Sequence, residues 1–190
     1  MTHSTYPEGL KCLQCRENKI FIDRSISALC FNEKLKKAIY AFKYHGKDHY
    51  GYFLSSFMSS KIRKEKRRKW LENVLIVPVP LSREKLKDRG YNQSEILSSH
   101  ISKKLFLSKP ISVIERHFSS KSQTALKRNE RQKNIKGAFF VNKKIDIKKA
   151  SILLVDDVLT TGATMNECAR ILKQNGAREV IGLTLASVPV

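Results

Sequence analysis

Runs of apolar residues recur along the chain with the lengths and spacings of buried strands. Residues 74–81 read VLIVPVPL, an apolar run that its two prolines end, because proline cannot donate a hydrogen bond to a central strand ladder. Similar runs occupy residues 151–156 (SILLVD) and 180–186 (VIGLTLA), and shorter ones lie at residues 112–114 and 138–141. The pattern therefore predicts strands at these positions.

Helical spacing of apolar residues lies between these runs. Residues 33–44 predict a helix that ends at Gly46, and a second helix is expected over residues 52–69. A third is predicted within residues 91–107, and a fourth after residue 162 stops at Asn175 and the glycine that follows it. The apolar stripes of these helices include Leu35, Ile39, Phe42, Ile96, Leu97, Ile101, Leu105, Met165, Cys168, Ala169 and Leu172.

The order of these elements predicts the fold class. Strands that alternate with helices form a parallel sheet with right-handed crossovers, so we expect an α/β fold with an open, mostly parallel sheet flanked by helices. The polar residues 82–90 are predicted to form a loop, and the basic residues 115–137 a long connection of the kind that is usually functional or disordered. With 190 residues, 41% of them hydrophobic, the chain can bury one core, and a single domain with small appendages is expected.

Positive charge is the most unusual property of the composition. The chain has 37 lysines and arginines against 17 acidic residues, a formal net charge of +20. Such a surface attracts nucleic acid, phosphorylated small molecules or an anionic membrane. Residues 61–69 (KIRKEKRRK), followed by Trp70, are either a nucleic-acid contact or a solvated helix end. The N-terminus lacks the apolar stretch of a signal peptide and no apolar run is long enough to span a membrane, so a cytoplasmic location is expected.

The four cysteines indicate at most a partial metal site. Cys12 and Cys15 form CLQC, the spacing of half a zinc site, but a second pair of ligands is not evident, so zinc is doubtful. Cys30 lies in the apolar run ISALCF and Cys168 on the apolar face of a predicted helix, and both are expected to be small core residues.

One motif carries the chemistry. In ILLVDDVLTTGAT, residues 152–164, a buried strand leads into Asp156 and Asp157, and a short loop then opens a helix. Open α/β sheets bind ligands at this end of their strands, and a helix N-terminus binds phosphate. The five residues at the start of this helix would bind the phosphate, and we call them the threonine loop: Thr160, Thr161, Gly162, Ala163 and Thr164.

The acidic pair must bind a different part of the same ligand, since carboxylates repel phosphate. Vicinal ribose hydroxyls fit, and a phosphate one sugar away from a diol describes a 5-phosphoribosyl group. A receiver domain also begins with ILLVDD, but its phosphoacceptor aspartate lies on a later strand, and no aspartate follows Asp157 here. A generic strand–turn–helix would explain the apolar residues and Gly162, but neither the two acids nor the three threonines.

The motif resembles the phosphoribosyl pyrophosphate (PRPP) motif of type I phosphoribosyltransferases. Over residues 10–186 the chain is similar to the ComF (GntX-like) family, whose members carry a phosphoribosyltransferase-type domain, usually behind a four-cysteine zinc ribbon, and are associated with natural competence. The resemblance rests on IVPVPL, RGYNQ, Arg116, Gln123, Leu126, Arg131, Asn134 and the GAF sequence at Gly137–Phe139. CLQC corresponds to the last pair of the ribbon cysteines, and the upstream pair has no counterpart before Met1, which predicts a truncated ribbon.

The resemblance implies a domain plan. Residues 1–30 would be the remnant of the cysteine ribbon, and residues 31–190 the phosphoribosyltransferase-like domain. Within that domain, residues 31–70 would form a helical hood and residues 74–190 the core. Acceptor recognition falls in the hood in this family, here around Lys43, Tyr44 and His45.

The resemblance also implies roles for single residues. Asp156 and Asp157 would hold the ribose and act in catalysis, and the threonine loop would hold the 5-phosphate. Pyrophosphate would be bound by Leu81, Ser82 and Arg83, with Arg89 nearby, while Arg131 belongs to a basic lid. Magnesium would bridge pyrophosphate and ribose hydroxyls, bound mainly by substrate oxygens and water.

The expected function is that of a ComF-like competence protein whose PRPP-binding domain acts in DNA uptake on the cytoplasmic side. The alternatives are a magnesium-dependent phosphoribosyltransferase of nucleobase or nucleotide metabolism and a transcription regulator on the same fold. Expected partners are PRPP, single-stranded DNA and other competence proteins, with a peripheral membrane contact as a further option.

Overall fold

The computed structural model describes residues 19–44, 48–65, 69–116, 135 and 137–188. Their elements, in chain order, are β1 (Arg24–Cys30), α1 (Glu33–Tyr44), α2 (Asp48–Arg63), β2 (Val74–Pro78), α3 (Arg83–Arg89), α4 (Gln93–Leu105), β3 (Ile114–Arg116), β4 (Phe139–Val141), β5 (Ser151–Leu159), α5 (Ala163–Gln174) and β6 (Glu179–Ser187). Within these ranges, no helix has the length and apolar character needed to cross a membrane.

Four strands form the main sheet. Their order is β1–β6–β5–β2, and every pair of neighbours runs parallel. Residues 151–155 of β5 are buried because β5 is a central strand with packed elements on both faces, which explains its continuous apolar run. The predicted α/β class, an open, mostly parallel sheet flanked by helices, is confirmed.

Two apolar cores lie on the two faces of this sheet. One contains Phe42 of α1 and Ile101 of α4, and the other contains Leu172 of α5. Successive residues of β5 contribute to different cores, Leu153 to the first and Leu154 to the second, as the period of two along a strand requires. The helices α1, α2 and α4 therefore cover one face, and α5 with β3 and β4 covers the other.

Close packing joins α2 to α4 at Gly51. A Cβ atom on this residue would overlap Ile96 of α4 and would lie 3.4 Å from the ring of Phe42. The glycine therefore lets the two helices approach each other more closely than any other residue would allow.

The strands β3 and β4 differ from the predicted arrangement. They pair antiparallel in a separate two-stranded sheet, with Ile114 opposite Val141, rather than joining the parallel sheet. An antiparallel pair needs no helical crossover, so the alternation of strands and helices does not apply to this part of the chain. The strand predicted at residues 112–114 also begins two residues later, at Ile114.

The strand β1 was not predicted. It is an edge strand in which Ile26 is the only buried residue, so its apolar pattern is weak. Cys30, expected in the core, is exposed at the end of β1, so that prediction is wrong. Cys168 is fully buried on α5, which confirms the prediction for the other cysteine.

Residues 83–89 form α3 instead of a loop. Ser82 caps this helix by accepting a hydrogen bond from the Lys85 N–H, and Gly90 ends it at a φ of 74°. No residue of α3 is buried, so hydrophobic spacing could not reveal it. The second helix was also misplaced, since α2 spans Asp48–Arg63 rather than residues 52–69.

Candidate functional site

The acidic pair lies at the carboxyl end of β5 and is held by four contacts. Asp156 Oδ1 accepts hydrogen bonds from Ser94 Oγ at 3.0 Å and from the Asp157 N–H at 2.8 Å. Asp157 Oδ1 accepts from the Val158 N–H at 2.7 Å, and its Oδ2 lies 2.6 Å from Lys43 Nζ. The helix α1 thus contributes a counter-ion to the end of the sheet.

Asp156 has an unusual proton affinity for a carboxyl group. Burial, followed by repulsion from Asp157, raises the pKa of Asp156 to about 7, although the hydrogen bonds from the Asp157 N–H and Ser94 and the charge of Lys43 oppose the rise. Near neutral pH a substantial fraction of Asp156 is therefore protonated in the free protein. A ligand that binds the ionised form has to displace a proton.

The threonine loop turns from β5 into α5. Gly162 adopts a φ of 73°, in the left-handed region that favours glycine, and α5 begins at the next residue. The first N–H groups of a helix have no acceptor within it, and the cap residue Gly162 has no side chain to supply one. Asp156 and the threonine loop line one pocket, so a carboxylate and an anion cradle face the same space.

The loop after β2 lies beside the end of β5. The Val79 N–H donates to the Val155 carbonyl at 2.9 Å, and the Val79 carbonyl accepts from Asn92 Nδ2 at 3.0 Å. Leu81 and Ser82 are half-buried, whereas Arg83 is exposed. Ser82 also caps α3, and pyrophosphate binding by these three residues stays a prediction.

Positively charged side chains gather around Lys85, which lies near Asp157. Desolvation and the positive charges of Arg89, Arg116 and Lys43 lower the pKa of Lys85, while the charge of Asp157 opposes this. Desolvation also lowers the pKa of Arg116, whose Cζ lies 5.4 Å from the ring of Phe139. We call the four cations, Lys43, Lys85, Arg89 and Arg116, the cationic wall.

Aromatic side chains of the hood adjoin this wall. The rings of Tyr40 and Tyr44 lie 4.7 Å apart, and Arg89 Cζ lies 5.5 Å from the Tyr44 ring. Both tyrosines are exposed, so a planar group next to the cationic wall would find a surface to stack on. His45, named with them, lies outside the described residues.

The sequence-predicted residues are only partly brought together by the described structure. Asp156 and the threonine loop line one pocket, and Leu81–Arg83 follow β2, the strand that pairs with β5. Arg89 ends α3, near Lys85 and Tyr44. Arg131 lies outside the described residues, as do Cys12 and Cys15. Sequence reasoning missed Ser94 and Lys85. Ser94 directly follows the RGYNQ motif at a helix start, which is the one signal that could have indicated it.

The basic run also differs from its expected setting. Residues 66–68 lie outside the described residues, and Trp70 packs against the core with Arg24 Cζ 5.0 Å from its ring. Trp70 is therefore poorly placed for stacking on a nucleobase. Exposed aromatic residues also lie on α2, at Tyr52, Phe53 and Phe57, and Lys104 Nζ lies 3.4 Å from the Tyr52 ring.

Comparison with known proteins agrees with this geometry. The model of the phosphoribosyl transferase domain family matches residues 57–190. Competence protein F of Haemophilus influenzae is 29% identical over 171 residues, 89% of this chain and 75% of its own length. DNA utilization protein YhgH of Escherichia coli is 28% identical over 180 residues (94% and 77%), and competence protein ComFC of Bacillus subtilis is 28% identical over 172 residues (88% and 66%).

Proposed function

Because the chain belongs to the phosphoribosyl transferase domain family, and within it to the ComF family, we propose that it binds PRPP and acts as a ComF-like competence protein in DNA uptake on the cytoplasmic side. The observation that supports PRPP binding is that Asp156 and the threonine loop line the same pocket. Its ligand has to offer an anion to the loop and hydrogen-bond donors to a carboxylate. A 5-phosphoribosyl group offers both.

Each part of the pocket has a role in this proposal. The 5-phosphate accepts hydrogen bonds from the threonine hydroxyls and the first N–H groups of α5, where the helix dipole also favours negative charge. Asp156 and Asp157 accept hydrogen bonds from the ribose hydroxyls. A ribose hydroxyl replaces Lys43 as the partner of Asp157 Oδ2. The ammonium group of Lys43 then faces the pyrophosphate.

Pyrophosphate has two sources of stabilisation. The loop residues Leu81, Ser82 and Arg83 and, at the other end of α3, Arg89 would bind it, and Arg131 belongs to the proposed lid. The cationic wall adds further positive charge near Asp157. Such charge favours the departure of pyrophosphate by stabilising the negative charge that it carries away.

Magnesium fits this arrangement. Two carboxylates beside a phosphate-binding loop create the oxygen-rich, negatively charged surroundings that a hard cation prefers. Bound through oxygens of PRPP and water, Mg²⁺ would neutralise the pyrophosphate charge. As an enzyme, the protein would break the bond from ribose C1 to a pyrophosphate oxygen and form one from C1 to the acceptor. Asp157 would stabilise the positive charge that develops on the sugar.

A phosphoribosyltransferase of nucleobase or nucleotide metabolism is the second candidate. The exposed pair of Tyr40 and Tyr44 beside Arg89 favours it, since a planar base would stack there. Pyrophosphate release from PRPP, measured with a nucleobase panel and with single-stranded DNA, separates the two. Turnover with one base would support the metabolic role. Release that requires DNA, or PRPP binding without release, would support the competence role.

We propose that single-stranded DNA is contacted by the exposed side of α2 and the end of α4. Tyr52 and Phe53 are 59% and 60% exposed, and Phe53 meets the ring of Phe57 edge-on at 5.2 Å. Lys104 Nζ lies 3.4 Å above the Tyr52 ring, which places a phosphate-binding charge next to a surface for base stacking. Lys61 lies in the last turn of α2.

Salt dependence tests this surface. Lys104→Gln should reduce the slope of log K against log salt by about 0.7 for each phosphate contact that is lost. The double change of Phe53→Ser and Phe57→Ser should weaken binding with little change in slope, because stacking is not electrostatic. Lys143→Gln, an exposed lysine next to the β3–β4 pair on the other face, is the matched control. Equal effects of the two lysine variants would contradict the assignment.

A further inference from the structure

Four consecutive residues at the start of α4 each contact a different part of the site. The Tyr91 hydroxyl donates to the carbonyl of Phe42 in α1. The side chain of Asn92 donates to the Val79 carbonyl in the loop after β2, and Gln93 Oε1 accepts from Arg89 Nη1 at 2.9 Å. Ser94 Oγ donates to Asp156. We call residues 91–94 the linking segment.

The contacts of Asn92 exceed what a helix cap requires. Asn92 is 5% exposed, and its Oδ1 accepts from the Ser94 N–H at 3.0 Å, which is the ordinary N-cap hydrogen bond. Its Nδ2 makes the second bond, to Val79. Aspartate caps helices equally well but has no N–H group to donate. Helix formation alone therefore does not account for asparagine at this position.

The position of Ser94 is also specific. It is 2% exposed, and its hydroxyl donates a hydrogen bond to Asp156, 62 residues away in the chain. Ser98, one turn later on α4, is equally buried, and its hydroxyl has no hydrogen-bond partner among the described residues. A buried serine on this helix is therefore tolerated without a partner, so packing alone does not explain why Ser94 faces Asp156.

We infer that the linking segment is the positioning element of the site, which holds the hood helix α1, the loop after β2 and Asp156 in the arrangement that binds ligand. The inference rests on the PRPP binding proposed above. Because three of its residues are nine-tenths or more buried at the start of a helix, a change in one contact alters the geometry of the part that this contact holds.

The test uses the full-length protein with Ser94→Ala, Asn92→Asp and the control Ser98→Ala. The first measurement is an NMR titration of the Asp156 carboxyl without ligand. The charged groups that act on this carboxyl are Asp157 and Lys43, and neither is changed. Ser94→Ala removes a hydrogen bond that favours the ionised form, so we expect the titration midpoint to rise by about one pH unit.

Ser98→Ala should leave that midpoint where it is in the wild type. The second measurement is the affinity for PRPP with Mg²⁺, which should fall at least several-fold in Ser94→Ala and in Asn92→Asp but not in Ser98→Ala. Ser94→Thr, which keeps the hydroxyl, should restore the wild-type midpoint. It also serves as the second variant if the alanine protein does not fold.

The outcomes are separable from those of the proposed function. An Asp156 midpoint that is the same in Ser94→Ala and the wild type would overturn the inference whether or not PRPP binds. Equal losses of PRPP affinity in Ser94→Ala and Ser98→Ala would also overturn it, since both then act through packing. A wild type that does not bind PRPP would defeat the proposed function, while a raised midpoint in Ser94→Ala would still support the positioning of Asp156.

Discussion

We expect ionised Asp156 to lower the free energy of unfolding of the ligand-free protein. Asp156→Asn should raise that free energy. Its pKa is raised from an ordinary value of 3.8 to about 7. Asparagine keeps the oxygen that accepts from Ser94 and the Asp157 N–H but carries no charge. Each pH unit of such a difference corresponds to about 1.4 kcal/mol, so ionised Asp156 destabilises the folded state by up to about 4 kcal/mol above pH 7.

The sign follows from the two states. Because the folded pKa lies above the unfolded one, the folded state binds more protons between pH 4 and 7, and stability from this group is lost as pH rises through that range. The advantage of Asp156→Asn should therefore be small near pH 4, grow as pH rises, and level off above pH 7. Strongly perturbed carboxyl groups of this kind cluster at functional sites.

Urea unfolding at pH 5 and pH 8 measures this difference. The matched control is Asp146→Asn, the same chemical change at an exposed residue whose Oδ1 accepts from the Lys148 N–H. This control should shift the unfolding free energy little and equally at both values of pH. An Asp156→Asn protein that is no more stable than the wild type at pH 8, or whose advantage is the same at both, would refute the reasoning.

Two further changes test the backbone near the site and the packing behind it. Gly162→Ala should lower the free energy of unfolding by about 1 to 2 kcal/mol, because alanine is strained at a φ of 73°. Steric overlap does not contribute, since an added Cβ meets only Leu159 at an ordinary 3.6 Å. Gly162→Asn should destabilise less. Equal unfolding free energies for the two variants would argue against backbone strain. Gly51→Ala should destabilise by about 1 to 3 kcal/mol by forcing α2 away from Ile96, despite the better helix propensity of alanine. A Gly51→Ala protein that is more stable than the wild type in thermal unfolding would contradict this, because α4 would then have moved to accommodate the methyl group.

The sequence predicts the well-buried elements of the fold and not the poorly buried ones. β5 and β6 are buried on both faces, so their apolar runs are long and distinct, and the acid pair with the threonine loop could follow only one of them. β1 and α3 lie at the margins and bury little, and their patterns carry no comparable signal. Physical burial, rather than position in the chain, decided which elements could be recognised.

The site was predictable where its residues are neighbours in sequence. Asp156 and the threonine loop share one motif, so their chemistry could be read together. Ser94 and Lys43 reach the acidic pair from other elements, and such contacts depend on how α1 and α4 pack against the sheet. Hydrophobic spacing predicts that a helix packs against the sheet. It does not predict which polar side chain at the end of that helix contacts a given strand.

Calorimetric titration of PRPP tests the central claim most directly. The wild type should bind PRPP in the presence of Mg²⁺ and lose affinity when the metal is chelated. The double variant Asp156→Asn with Asp157→Asn should bind at least about tenfold more weakly, because hydrogen bonds to charged groups contribute about 1.5 to 3 kcal/mol each. Equal affinities of the wild type and the double variant, or no binding by either, would contradict the assignment of this pocket to a 5-phosphoribosyl group.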